Sequence, residues 1–173
     1  EGAYPVELGD HEVGARLRLL DRAEIDTAIV SLQPTLGLEV LAADERERLE
    51  GIWEDGILEL ATEAGGRIVP LAVGRPRAGF AGVSVGSDRL DDLSALAASL
   101  DGLRGSGFLF VHPVSGSRPP GAPTWWPALV DYTSHMQRAY LAWLAHGQAR
   151  WPEVNVVFAI LAGGGPIQLE RLA

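Results

Sequence analysis

The sequence contains no cysteine, a single methionine, and aromatic residues at only 7%. Without cysteine there are no disulfides, no thiolate metal sites and no sulfur nucleophile, and a cytoplasmic setting is expected. No stretch approaches the roughly 18 to 20 uninterrupted apolar residues that cross a bilayer, so no membrane span is expected. Positive charge is also scarce: Lys and Arg number 14 against 23 Asp and Glu, a formal net charge of −9. Such a surface repels phosphate backbones and anionic lipid, which excludes a basic nucleic-acid footprint. There is no basic and apolar leader and no repeat of fixed period. The run Gly163-Gly164-Gly165 lacks the Lys-Ser/Thr ending and the G-x-G-x-x-G spacing of phosphate-binding loops, so it reads as a strand-to-helix turn.

What is present is the composition of a core-former, 47% hydrophobic and 21% charged. Short apolar or β-branched runs alternate with longer amphipathic ones, the pattern of βαβ units around a parallel sheet. The spacing predicts strands near residues 25–32, 67–73, 80–85, 107–112 and 154–161. It predicts helices over 10–24, with Asp10 as N-cap, and over 44–64, 91–103 and 125–146. Runs such as Phe108-Leu109-Phe110-Val111 do not alternate, which implies a sheet covered by helices on its outer face and buried within. The chain reads as one domain over residues 1–173, yet 173 residues fall short of the roughly 250 of a complete (β/α)8 barrel, and both ends read as cut. The only Pro-, Gly- and Ser-rich stretch is the loop from Pro113 to Pro123.

His112 closes an apolar strand just before that loop, and carboxyl ends of parallel strands are where ligands bind. A buried histidine satisfied by the backbone is the plain alternative. Ser31 and Gln33 end another strand on the same side, where substrate contact and loop capping explain them equally. His11, His135 and His146 do not converge with His112 at a metal-ligand spacing and read as structural or solvated. Asp88, two residues beyond Gly86, is the one carboxylate near a strand end that offers a second ligand.

Four segments together carry a resemblance: 19–31, Arg67-Ile68-Val69-Pro70-Leu71-Ala72, Val111-His112-Pro113, and Trp151 through Gly163-Gly164-Gly165-Pro166 to Arg171. In this order they resemble the amidohydrolase-related group that includes the aminocarboxymuconate-semialdehyde decarboxylase-like enzymes and related lactonases. The resemblance implies an α/β fold, a (β/α)8 TIM barrel of metal-dependent hydrolase type, here incomplete, with its first and last strands missing. It implies a metal-dependent hydrolase or decarboxylase acting on a small carboxylated or carbonyl substrate, with one divalent metal, usually zinc. His112 matches the fifth-strand ligand; the His-x-His pair of the first strand and the Asp of the eighth fall outside the chain. A single imidazole is not expected to hold metal tightly in this chain alone. The sixth-strand acid-base histidine falls at Ile160 or Ala162, and neither transfers a proton, so a catalytically silent barrel serving as a binding or scaffold protein is the alternative. By the same resemblance Trp126, or its neighbour Trp125, matches a substrate-contacting tryptophan. Arg171 matches an arginine that reaches across a homodimer interface to a substrate carboxylate, while solvated pairing with Glu170 explains it as well.

Overall fold

The computed structural model describes residues 8–114, 116 and 118–171. The strands are β1 (Ala28–Val30), β2 (Ile68–Pro70), β3 (Ala72–Val73), β4 (Gly82–Gly86), β5 (Phe108–His112) and β6 (Asn155–Phe158). Every pairing is parallel. β1 pairs with β2 in a two-stranded sheet, and β3-β4-β5-β6 form a four-stranded sheet in chain order. β2 and β3 are successive halves of one run broken at Leu71, whose amide donates to Val30 O at 2.8 Å, while Ala81 N donates to Pro70 O at 3.0 Å. The strands thus follow one another side by side in sequence order, as predicted, with helix α1 (Val13–Arg22) ahead of β1 and α2 (Ala43–Glu63), α3 (Ala97–Gly102) and α4 (Tyr132–Ala142) between later strands.

The main core lies between the sheet and the helices. Val83 and Val85 of β4 and Leu109 and Val111 of β5 are buried there against Leu96, Leu100, Met136 and Trp143. Each such side chain contributes about 1.5–3 kcal/mol by leaving water. A smaller cluster joins Leu20 of α1 to Ala64 and Ile68. Arg67 ties the opposite, amino-terminal end of the strands together, donating to Asp21 at 2.8 Å and to the carbonyls of Asp26 and Ile25 at 2.7 and 2.9 Å.

Three expectations change. Helix α1 starts at Val13 with Glu12 as its N-cap residue, and Asp10 belongs to a preceding 3₁₀ turn over Leu8–His11. There Arg16 donates back to His11 Nδ1 at 2.9 Å, which holds the entry turn apart from the helix. The predicted helix over 91–103 is reduced to α3, because the Asp92 carboxylate accepts the Ser94 amide at 3.0 Å and its hydroxyl at 2.5 Å, a local bond that competes with helix. Finally, the last strand ends at Phe158. Residues 159–171 form a tight turn in which Ile160, Leu161 and Ala162 take left-handed φ of 42°, 53° and 52°. Each costs about 1–2 kcal/mol for a residue with a Cβ. The segment packs along α4, and Gly163 lies so close to the Thr133 carbonyl that a Cβ there would collide with it.

Candidate functional site

Strand alternation decides which side chains face away from the helices. Since Val83, Val85, Leu109 and Val111 are packed against the helical layer, Gly82, Ser84 and Gly86 of β4 and Phe108, Phe110 and His112 of β5 lie on the other face. The register aligns Ser84 with Phe110 and Val157, and Gly86 with His112. A cavity of about 430 Å³ opens at the carboxyl ends of these strands. Gln33 follows β1, Gly74 follows β3, Ser84 and Gly86 come from β4, and His112 and Val114 from the end of β5; Arg46 and Glu50 of α2 and Asp88 and Arg89 of the turn after β4 complete its wall.

His112 is half-buried, and its Nδ1 lies 2.9 Å from Pro113 O. A carbonyl oxygen only accepts, so Nδ1 carries a proton, and in the neutral ring Nε2 then holds the lone pair. That is the tautomer a metal-binding imidazole needs. Pro113 fixes this arrangement locally, since its ring restrains the chain where the strand ends.

Glu50 sits in the wall beside Arg46, with 3.7 Å between carboxylate and guanidinium. Burial pushes its carboxyl above the usual value, outweighing the lowering pull of Arg46. On the floor, the Ser84 residue is only 5% exposed and its hydroxyl has no hydrogen-bond partner. Gly82 and Gly86 flank it on the same face and contribute no side chain, so the floor there is backbone and one hydroxyl.

Of the residues singled out in the sequence, the cavity brings together His112, Gln33 and Asp88. Ser31, Trp126 and Arg171 are not among its lining residues. Trp126 stacks on Trp125, with ring centroids 6.2 Å apart and 24° between planes, and Arg171 is exposed in the turn that follows β6. At the sixth-strand position Ile160 points to solvent at 48% exposure and Ala162 is buried at 3%, so neither places a titratable group at the mouth. The sequence reading missed Arg46, Glu50, Ser84 and Arg89. For Ser84 a signal existed: Gly82-Val83-Ser84-Val85-Gly86 puts glycine, serine and glycine on one face, where a strand normally carries bulk.

A divalent metal is tested against this donor set. His112 fits as one neutral ligand, and Asp88 folds back so that its Oδ1 lies over the Gly86 Cα, where a Cβ would meet it at 2.5 Å. Among the described residues no group of three or more His, Cys, Asp or Glu converges to hold an ion. A catalytic zinc takes about three protein ligands plus water. The described residues therefore supply one ligand, and no step through a metal is derived from them.

No protein-family model and no curated protein matches the sequence. Solved structures do. The chain is similar to 5-carboxyvanillate decarboxylase from Sphingomonas paucimobilis, with TM-score 0.73 and 20% identity over 99% of this chain and 59% of that one. The Novosphingobium aromaticivorans 5-carboxyvanillate decarboxylase, complexed with manganese and 4-hydroxy-3-methoxy-5-nitrobenzoic acid, matches with TM-score 0.76 and 16% identity over 98% and 57%. Apo IDCase of Metarhizium anisopliae matches with TM-score 0.69 and 16% identity over 93% and 50%. The chain thus spans between half and three-fifths of the length of these proteins. Its fold is an incomplete (β/α)8 barrel like that of these proteins, in keeping with the strand order.

Proposed function

We propose that the protein is a metal-dependent hydrolase or decarboxylase of the amidohydrolase-related group, acting on a small carboxylated or carbonyl substrate at the mouth of the barrel. The observation that carries the reading is His112. It stands at a strand end, on the lumen face, with Nδ1 anchored on Pro113 O, and in the wall of a cavity sized for a small molecule. A divalent cation, zinc or manganese, would supply Lewis acidity there and lower the pKa of bound water; manganese is the ion in the Novosphingobium enzyme. His112 would give one ligand. Gln33 lines the same cavity and is assigned to hydrogen-bond substrate. Ser31 is kept as a substrate contact on its place at a strand end, and Trp126 and Arg171 on the strength of the resemblance, Arg171 through a homodimer. No helix among the described residues is long and apolar enough to cross a membrane, and the absence of cysteine supports a cytoplasmic setting.

The test is metal content and turnover of benzoate-type acids in the protein that includes the remaining barrel strands. His112→Ala should lower both together. Stoichiometric metal retained by that variant removes His112 from the ligand set.

A second reading is favoured by Ile160 and Ala162, which leave the sixth-strand position without a proton carrier. A barrel of this kind that binds small molecules without converting them would show saturable binding and no metal-dependent turnover in the same assay.

A further inference from the structure

Buried hydroxyls are almost always hydrogen-bonded, because leaving one unpaired costs free energy that the fold gains nothing from. Ser84 breaks this rule inside the cavity: its residue is 5% exposed, and its Oγ has no partner among the described residues. An alanine or valine would fill the same position without that cost. The surroundings make room for a ligand. Val73, Gly74 and Gly86 line the cavity around Ser84, with Asp88 and Val114 closing over Gly86, and the register sets Ser84 one step below the Gly86–His112 pair. Arg46 and Arg89 stand in the wall of the same cavity, and Arg89 forms no ion pair among the described residues.

We propose that Ser84 is a specificity-determining residue that hydrogen-bonds a hydroxyl or carbonyl oxygen of a small organic acid lying on the cavity floor. The ring or carbon skeleton of such a ligand would rest against Val73 and Val114, and its carboxylate would face the arginines of the wall. This rests on the reading of the cavity as the substrate site. It adds what that reading leaves out, a second oxygen on the ligand and the residue that selects for it.

The experiment is titration of the 173-residue chain, with chelator present, with benzoate and with 2-, 3- and 4-hydroxybenzoate, followed by calorimetry and amide shifts of residues 82–86. At least one hydroxy isomer should bind about tenfold tighter than benzoate, the worth of one good hydrogen bond. Ser84→Ala should abolish that ratio while leaving benzoate affinity within twofold. The same variant should melt no lower than the parent, because it removes an unpaired buried hydroxyl; a serine kept for structure would melt lower when truncated. Ser87→Ala removes the other buried unpartnered hydroxyl of this region, which does not line the cavity, and should leave the ratio unchanged. Equal affinities for benzoate and all three isomers, an unchanged ratio in Ser84→Ala, or no binding of any probe overturns the proposal. Because chelator is present, such a failure says nothing against metal-dependent turnover. Conversely, a preserved ratio with no turnover in the complete barrel overturns the reaction and leaves Ser84 in place.

Discussion

Glu54 of α2 holds the carboxyl end of β3 in place, and removing it should be costly. Its Oε1 accepts the Val73 amide at 2.8 Å, and its Oε2 accepts from Arg77 at 2.6 Å, with the carboxylate side chain only 12% exposed. Val73 is followed by Gly74 in the cavity wall, so this bond fixes the edge of the site as well as the helix. In Glu54→Ala the Val73 amide loses a charged acceptor in a part-buried place, worth about 1.5–3 kcal/mol. The pair with Arg77, whose side chain is 41% exposed, adds about 0.2–1 kcal/mol. The sum is about 2–4 kcal/mol, or roughly 5–15 °C in Tm for a chain of this size. Glu54→Gln keeps an acceptor for the amide and should lose about half as much. Arg77→Ala loses the Glu54 and Asp55 pairs and a guanidinium 5.9 Å from the Phe80 ring centroid but leaves the Val73 amide bond intact, and should cost less than Glu54→Ala. Urea denaturation of the three variants decides it. If Glu54→Ala falls no further than Arg77→Ala, the amide bond contributes nothing and the reasoning is wrong.

The strands were legible because each carries a run too apolar to be exposed, and the turn glycines delimit them. Phe108 to Val111 and Val156 to Phe158 fall where periodicity puts them. The helix predicted over 91–103 was not, because a two-residue Asx bond from Asp92 outcompetes an Ala- and Leu-rich pattern, and periodicity does not register such bonds. The turn after β6 was equally hidden. Nothing in Ile160-Leu161-Ala162 announces a left-handed backbone; it follows from how closely Gly163 approaches α4, a contact known only once the helix is placed. At the site, His112 was readable from strand position. Arg46 and Glu50 were not, since they sit on a helix whose sequence offers many charges, and only the docking of α2 selects the pair that reaches the mouth.

The remaining expectations divide between backbone, pH and metal. Gly163→Ala should destabilise by well over 3 kcal/mol, as its Cβ meets the Thr133 carbonyl at a left-handed φ of 60°. Gly164→Ala, at φ 78° with its nearest neighbour 4.0 Å away, should cost only about 1–2 kcal/mol; comparable melting of the two would refute the close approach. The Asp101 carboxyl is held below its usual value, first by the Trp151 indole N–H at 2.9 Å and then by Arg104. A depressed folded value means that its contribution is present above the unfolded carboxylate value and is lost as pH falls through the folded one. Asp101→Asn should therefore flatten the stability profile on the acid side of the ordinary carboxylate range, as urea midpoints at each pH would show. The last expectation is that this chain, dialysed against a mild chelator, keeps no stoichiometric zinc or manganese. One imidazole is one ligand; Asp88, the nearest candidate for a second, is turned back over Gly86. No third His, Cys, Asp or Glu joins them among the described residues. One donor and water leave the ion mostly hydrated and exchanging freely, whereas about three protein donors in fixed geometry are what make a catalytic site tight. Elemental analysis after dialysis measures this directly, and one equivalent of metal that disappears in His112→Ala would show that the chain closes the site by itself.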